Sequence, residues 1–188
     1  RTMIHDFVRE VGGSAVIKPL DGAGGAGVVQ LHAGDKNVRS IVDMLTHEGR
    51  RLAMVQEFLP KVTEGDTRIL LLDGEPLGAI LRVPRGDDIR SNIHAGGKAE
   101  AVEIGRTELR VAEIIRPKLV ADGMFLVGID IVGDKILEVN VFSPGNLKSC
   151  STLAGVDFSE TILDSVERKV EIKQDYGGVF DNRHLAML

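Results

Sequence analysis

Four glycines in six positions, Gly22 to Gly27, stand between two β-prone runs, and no other feature limits the chain's fold as much. The first run, Ser14 to Lys18, leads through Pro19-Leu20-Asp21 into the glycines, and Val28 to Leu31 returns from them. Without side chains, such a loop brings backbone N–H groups up to an anion, and Lys18 adds a mobile positive charge beside it. Gly22, Gly24 and Gly27 spell G-x-G-x-x-G. A strand follows, however, where a dinucleotide-binding turn needs a helix, and no Gly-Lys-Ser/Thr completes a Walker A loop. A phosphate loop strung between two strands folds over its anion as a flap. The competing reading is a plain glycine-rich turn with Lys18 in solvent.

A second constellation lies near the other end. Phe125 to Val132 and Ile136 to Val141 read as a hairpin. Glu138 and Asn140 are two apart, so their side chains share one face while Leu137, Val139 and Val141 take the other. A three-residue connection, Gly133-Asp134-Lys135, pairs Val132 with Ile136 and sets Asp130 opposite Glu138. Asp130, Glu138 and Asn140 then offer hard oxygen donors on one face, the set that Mg²⁺ takes together with nucleotide phosphates. A two-residue turn would put Leu137 opposite Asp130 and scatter the group. A solvent-facing alternating strand is the competing reading.

Around these, residues 3 to 12 carry Ile4, Phe7, Val8 and Val11 at helical spacing before Gly12-Gly13. Residues 36 to 49 suit a helix that ends at Gly49. Leu52 to Phe58 is β-prone, and Thr67 to Leu72 with Leu77 to Val83 makes a hairpin about Asp73-Gly74-Glu75. Pro84 to Lys98 is polar, contains glycines and lacks periodicity, which predicts a long flexible loop with a functional use. Arg106 to Ala121 is helical, with Pro117 expected to kink or break it. Phe158 to Val170 is a late helix, and 174 to 188 reads as a tail with little core. Strands and helices mix without strict alternation, so the expected class is α+β with antiparallel sheets.

Composition removes other classes. A formal charge of −5 from 23 basic and 28 acidic residues, with no basic block, argues against nucleic acid as a partner. No apolar run approaches the ~20 residues of a membrane span, so no membrane partner is expected. Cys150, the only cysteine, excludes an intrachain disulfide and fits a reducing, cytoplasmic setting. A catalytic thiol is one reading of Cys150. An incidental or buried thiol is the favoured one, because no His stands in a pairing motif. The chain starts without Met, almost directly in a helical pattern, and reads as part of a longer polypeptide.

Several stretches together resemble bacterial glutathione synthetase. They are Ile-Lys-Pro-Leu-Asp-Gly-x-Gly-Gly (Ile17 to Gly25), Glu-Gly-Asp-Thr-Arg-Ile-Leu-Leu-Leu-Asp-Gly-Glu-Pro (Glu64 to Pro76) and Arg90-Ser-Asn-Ile-His-Ala-Gly-Gly97. Val-Gly-Ile-Asp-Ile-Val-Gly-Asp (Val127 to Asp134), before Glu-Val-Asn-Val and Ser-Pro, completes the set, which covers about residues 14 to 144 in order. The resemblance implies an ATP-grasp fold of two small lobes with antiparallel sheets and packed helices clasping a nucleotide. Residues 1–58 would form the small lobe, 59–173 the large lobe with a lid at 84–98, and 174–188 a tail. It implies ATP phosphates held by Lys18, Gly22, Gly24, Gly25 and Gly27, adenine read at Gln56, Glu57, Phe58 and Leu59, and Asp66 in the nucleotide pocket. Arg68 would face the γ-phosphate as the catalytic residue. Asp130, Glu138 and Asn140 would carry Mg²⁺ (or Mn²⁺). Arg82, Arg90, Asn92, Gly96, Gly97 and Ser143 would belong to the substrate side and the lid.

The implied chemistry is amide formation through an acyl-phosphate, with ATP as co-substrate and γ-glutamylcysteine plus glycine as the default small-molecule pair. That route needs no His, so His94 is not required as a general base. The alternatives are an ATP-grasp ligase for another amino acid or peptide pair, and a non-catalytic nucleotide-binding protein. After Pro144 the family's usual Arg and Glu give way to Gly145-Asn-Leu-Lys-Ser149, which puts the substrate in question. The amino-terminal domain usual in the family is absent from the chain, and a homo-oligomer of the full-length parent is left open.

Overall fold

The glycine loop does join two antiparallel strands. In the computed structural model, which describes residues 2–86, 89–92, 96–186 and 188, β1 (Ser14–Pro19) pairs with β2 (Val29–His32), and Ile17 faces Val29 at the foot of the loop. On its other side β1 pairs with β3 (Ala53–Glu57), Lys18 opposite Met54. Alternation decides what lies beneath. Ala15, Ile17 and Leu31 point inward and pack with Val8 of α1 (Thr2–Glu10) and Val38 and Val42 of α2 (Val38–Leu45). Val16, Lys18, Gln30, Met54 and Gln56 alternate to the opposite face, where each is half-buried or exposed. These elements, through Thr63, form one compact unit together with Pro84–Gly97.

Glu64–Val83 and Lys98–Leu188 form a second unit. Its sheet runs β6-β5-β4-β7-β8, all neighbours antiparallel. The strands are β4 (Asp66–Leu72), β5 (Glu75–Val83), β6 (Lys98–Ala101), β7 (Leu126–Val132) and β8 (Lys135–Asn140). Ile69, Leu71, Ala79, Val127, Ile129 and Ile131 cover one face and bury against Val111, Ala112 and Leu119 of α3 (Arg106–Ala121). Each fully buried aliphatic side chain stabilises by about 1.5–3 kcal/mol relative to exposure. The alternate residues of the same strands, Asp66, Arg68, Gly78, Arg82, Gly128 and Asp130 among them, point to the other face. Near Gly78 that face is covered by α4 (Leu147–Ala154) and the start of α5 (Phe158–Asp175). A Cβ on Gly78 would come within 2.8 Å of both the Cys150 sulfur and the Phe158 ring.

The hairpin holding Asp130 and Glu138 departs from expectation in its turn. Val132 pairs with Lys135, so the connection is the two-residue Gly133-Asp134, with Gly133 at φ 60°. Asp130 nevertheless faces Glu138, because the register shifts between Asp130 and Ile131 and leaves Leu137 as the extra residue. A bulge moves every later residue by one position, and here it restores the face that the short turn would have lost.

Three further expectations are corrected. α3 is not broken at Pro117. The proline sits in the last third of the helix, where it removes its own bond to the Glu113 carbonyl and crowds that carbonyl without ending the helix. Residues 174–188, expected as a tail with little core, do carry a helix that buries two residues. Helix α6 (Asn182–Ala186) carries buried Leu185 and Ala186, and the Leu185 carbonyl accepts from Lys169 Nζ at 2.6 Å. Two buried residues are too few to show as periodicity. The boundary expected after residue 58 falls at Thr63, and residues 84–97 group with the first unit instead of the second. No helix among the described residues is long and apolar enough to cross a membrane.

Candidate functional site

On the second unit's sheet, four ionised side chains from three adjacent strands form one buried grid. Arg68 on β4 meets Asp130 on β7 bidentately, Nε donating to Oδ1 and Nη2 to Oδ2, each at 2.6 Å. Arg82 on β5 donates from Nε and Nη2 to Asp66 Oδ1 at 2.8 and 2.6 Å, and its Nη2 also reaches Asp130 Oδ2 at 2.7 Å. The strand register places them: Asp66 pairs with Arg82, and Arg68 with Asp130. Arg68 is 6% exposed and the other three are 2% exposed, so two cations and two anions share a site from which water is nearly excluded. Burial is the largest single influence on the Arg82 guanidinium and works against its charge. Asp130 and then Asp66 outweigh it, and the guanidinium is held above its ordinary value.

Glu138 and Asn140 border this grid. The orientation of the Asn140 amide that satisfies both its ends has Nδ2 donating to Glu138 Oε1 at 3.3 Å and Oδ1 accepting from Arg68 Nη2 at 3.0 Å. The same Nη2 is thus shared by Asp130 and Asn140. Arg68 Nη1 donates to the Pro144 carbonyl at 2.7 Å. That carbonyl belongs to a turn in which Ser143, Gly145 and Asn146 all have positive φ. Gly128 supplies the room: a Cβ there would lie 3.1 Å from the Pro144 ring and 3.7 Å from Arg68 Cδ.

In the first unit, Lys18 stands on the half-exposed sheet face beside Met54 and Gln56. Gly22, Gly24 and Gly27 are exposed, and Gly25 is half-buried. Gly25 has φ +83°, and a Cβ there would meet Asn92 Oδ1 at 2.8 Å and Arg90 Cδ at 3.0 Å. Arg90 Nη1 donates to the Gly25 carbonyl at 3.5 Å, so the described part of the 84–98 loop lies against the glycine loop. Gly97 is equally confined, since its Cβ would fall 2.2 Å from the Ser91 carbonyl oxygen, while Gly96 is open. Gln56 and Glu57 end β3, and the Phe58 amide donates to the Ser14 carbonyl at 3.2 Å. Phe58 and Leu59 are both half-buried. His94 lies outside the described residues.

Residues 1–155 match the family model of the prokaryotic glutathione synthetase ATP-grasp domain. The chain belongs to this family. It is 41% identical over 167 residues to the glutathione synthetase of Synechocystis sp., covering 89% of this chain and 52% of that protein. It is 44% identical over 164 residues to that of Gloeobacter violaceus, covering 87% and 50%. The chain therefore spans about half the length of the curated relatives it matches. Among solved structures, the D-alanine–D-alanine ligase of Bacillus anthracis complexed with ATP superposes with a TM-score of 0.62 at 18% identity, covering 91% of this chain and 57% of that one. An ATP-grasp RimK domain protein from Sphaerobacter thermophilus gives 0.60 at 22% identity, covering 87% and 56%. The fold is ATP-grasp, an α+β arrangement of antiparallel sheets and packed helices.

Within this ATP-grasp domain the remaining sequence-derived residues have the following surroundings. Arg82, expected with Arg90, Asn92, Gly96 and Gly97, is bonded to Asp66 and Asp130. Asp66, expected to line a nucleotide pocket, is buried with its carboxylate on Arg82. Ser143 is exposed in the turn that delivers the Pro144 carbonyl. Gly128 and Pro144 carried no expected role, and only the short side chain required under Arg68 could have singled out Gly128. Cys150 is buried 1% exposed against Gly78, and burial pushes its thiol above the usual range, as fits the inert reading. The Asp130, Glu138 and Asn140 donor set is all hard oxygen, the kind a divalent cation takes, and Arg68 Nη2 is bonded to two of its members, Asp130 and Asn140. Among the described residues no cluster of three His, Cys, Asp or Glu offers a different metal site.

Proposed function

We propose that this domain binds ATP with Mg²⁺ (or Mn²⁺) and forms the nucleotide-handling part of a glutathione synthetase that joins γ-glutamylcysteine to glycine. The observation that carries this proposal is the convergence of Asp130, Asn140 and, through Asn140, Glu138 on one guanidinium nitrogen of Arg68. Two oxygens on one cationic nitrogen, with the Glu138 carboxylate bonded beside them to Asn140, supply hard donors of the kind a nucleotide-bound Mg²⁺ takes, and when bound the ion would neutralise phosphate charge.

The chain's own residues account for the remaining steps. Lys18 and the backbone of Gly22 to Gly27 hold the phosphates, while Gln56 to Leu59 offer backbone groups to adenine. Arg68 meets charge developing on the transferred γ-phosphoryl group. The bond from the γ-phosphorus to the β-bridging oxygen breaks as a substrate carboxylate oxygen takes the phosphoryl group. An amine then attacks the acyl carbon, and inorganic phosphate leaves with formation of the amide. Arg90 and Asn92, against Gly25, belong to the loop that keeps water from the acyl-phosphate. Within the cell the protein is placed in the cytoplasm, in line with its lone cysteine.

The test is phosphate release by the protein that carries this domain, with Mg-ATP, γ-glutamylcysteine and glycine. Release that requires both substrates supports the proposal. Release with a different carboxylate–amine pair alone would keep the ligase and replace the substrates, and failure of folded protein to bind Mg-ATP would end it.

A further inference from the structure

We infer that Arg68 occupies the cation's place in the metal-free protein and leaves it when the cation arrives, while Arg82 stays behind to hold Asp130. Here the donor set of the proposed function is taken as the metal site. The geometry around Arg68 has the form of a filled cation site. Its Nη2 lies 2.6 Å from Asp130 Oδ2 and 3.0 Å from Asn140 Oδ1, and its Nε closes on Asp130 Oδ1 at 2.6 Å. Both oxygens of Asp130 therefore already accept charge-assisted bonds. A cation entering among Asp130, Glu138 and Asn140 meets a second positive charge in the same space, at an effective dielectric far below that of water. One of the two guanidiniums has to yield.

The anchoring of the two arginines decides which one. Arg82 is tied by two bonds to Asp66 Oδ1, at 2.6 and 2.8 Å, and these are untouched when Asp130 changes partners. Among the described residues, Arg68 has no second carboxylate in its hydrogen bonds. Apart from Asp130 and Asn140 it holds the Pro144 carbonyl, a neutral acceptor on a turn with three positive-φ residues. Losing Asp130 thus leaves Arg68 with neutral acceptors only, Asn140 and the Pro144 carbonyl, whereas Arg82 keeps its charge compensated by Asp66. Asp66 and Arg82 are positioning residues: they keep Asp130 aimed as its partner changes. The freed guanidinium is then available to phosphate oxygens only once the metal is in place, which couples phosphate capture to metal entry.

Two measurements on the 188-residue chain test this independently. In the first, ¹⁵N-arginine-labelled protein is titrated with Mg²⁺ and a non-hydrolysable ATP analogue. The Arg68 Nε–H resonance is expected to move and its exchange with water to quicken at least tenfold, while that of Arg82 stays within twofold. Equal movement of both, or movement of Arg82 alone, overturns the inference. The second needs no nucleotide: Mn²⁺ alone is titrated by electron paramagnetic resonance into wild type, Arg68→Gln and the double variant Arg68→Gln/Asp130→Asn, with circular dichroism as the check on folding. At least tenfold tighter Mn²⁺ binding in Arg68→Gln, lost in the double variant, supports the exchange; unchanged binding overturns it. If Arg68→Gln does not fold, Arg68→Met, which removes the charge and keeps an unbranched stem, takes its place with the same expectation. Absence of Mg-nucleotide binding by folded wild type would count against the proposed function, and the Mn²⁺ series would still decide the exchange.

Discussion

The two regions assigned to the nucleotide are built on opposite principles. The region in the first unit is made of what is missing: glycines without side chains, largely exposed backbone and one lysine on a half-exposed sheet face. The region in the second unit is made of charges removed from water, with Arg68, Arg82, Asp66 and Asp130 compensating one another before any ligand is present. A site of the first kind contributes little to the stability of its own domain. In the second kind, function and folding share the same bonds, since a buried charge that loses its partner is costly. Variants in the two regions should therefore separate binding from stability.

The largest effect is expected at Asp130. Asp130→Asn leaves two buried guanidiniums with one carboxylate and should cost about 3–5 kcal/mol in urea unfolding, as for other broken buried pairs. A loss below ~1 kcal/mol would mean that the grid is not structural, and the contrast would fail. Lys18→Met should do the reverse, lowering Mg-ATP affinity roughly 10- to 100-fold, the worth of one charge-assisted contact, with a smaller shift of the urea midpoint than Asp130→Asn causes. Calorimetry with a matched unfolding curve checks both halves.

Gly78→Ala probes the same sheet face outside the charged grid. Its new methyl group collides with Cys150 and Phe158, and overpacking of this kind should destabilise by about 1–3 kcal/mol without altering nucleotide affinity. The smallest effect belongs to Asp157, which caps α5 through the Ser159 amide. That hydrogen bond holds the Asp157 carboxyl below its ordinary value. The stabilisation is present above the unfolded carboxylate pKa and is lost as pH falls through the lower folded one. Asp157→Ala should slightly lower the melting temperature at neutral pH, and the difference from wild type should vanish in acid.

The same contrast explains how much was legible in the sequence. Glycine content and strand punctuation are local, so the β1–loop–β2 unit and its lysine could be read directly. The pairing of Asp130 with Glu138 was also anticipated, although by way of the wrong turn. A two-residue turn plus a bulge at Leu137 gives the same facing as a three-residue turn, and nothing local distinguishes them. The grid was not legible. Arg68 and Arg82 each read as a polar residue alternating with apolar neighbours, and which carboxylate each meets depends on the order of three strands. The helical stretch of α6 was hidden for a similar reason, because Leu185 becomes core only through Lys169 and the packing of α6 on α3. The glycine loop itself proved to be covered in part, with Arg90 and Asn92 lying over Gly25 across a long gap in sequence.

The central claim is that this domain binds a metal-dependent nucleotide, and titration calorimetry of the 188-residue chain with ATP, with and without Mg²⁺, tests it most directly. Binding should require Mg²⁺, weaken on Lys18→Met in a fully folded protein, and weaken again on Glu138→Gln, which alters the metal set at an exposed position. ATP binding that is indifferent to Mg²⁺ and to Glu138 would contradict the assignment of Asp130, Glu138 and Asn140. No binding by a folded chain would contradict the account as a whole.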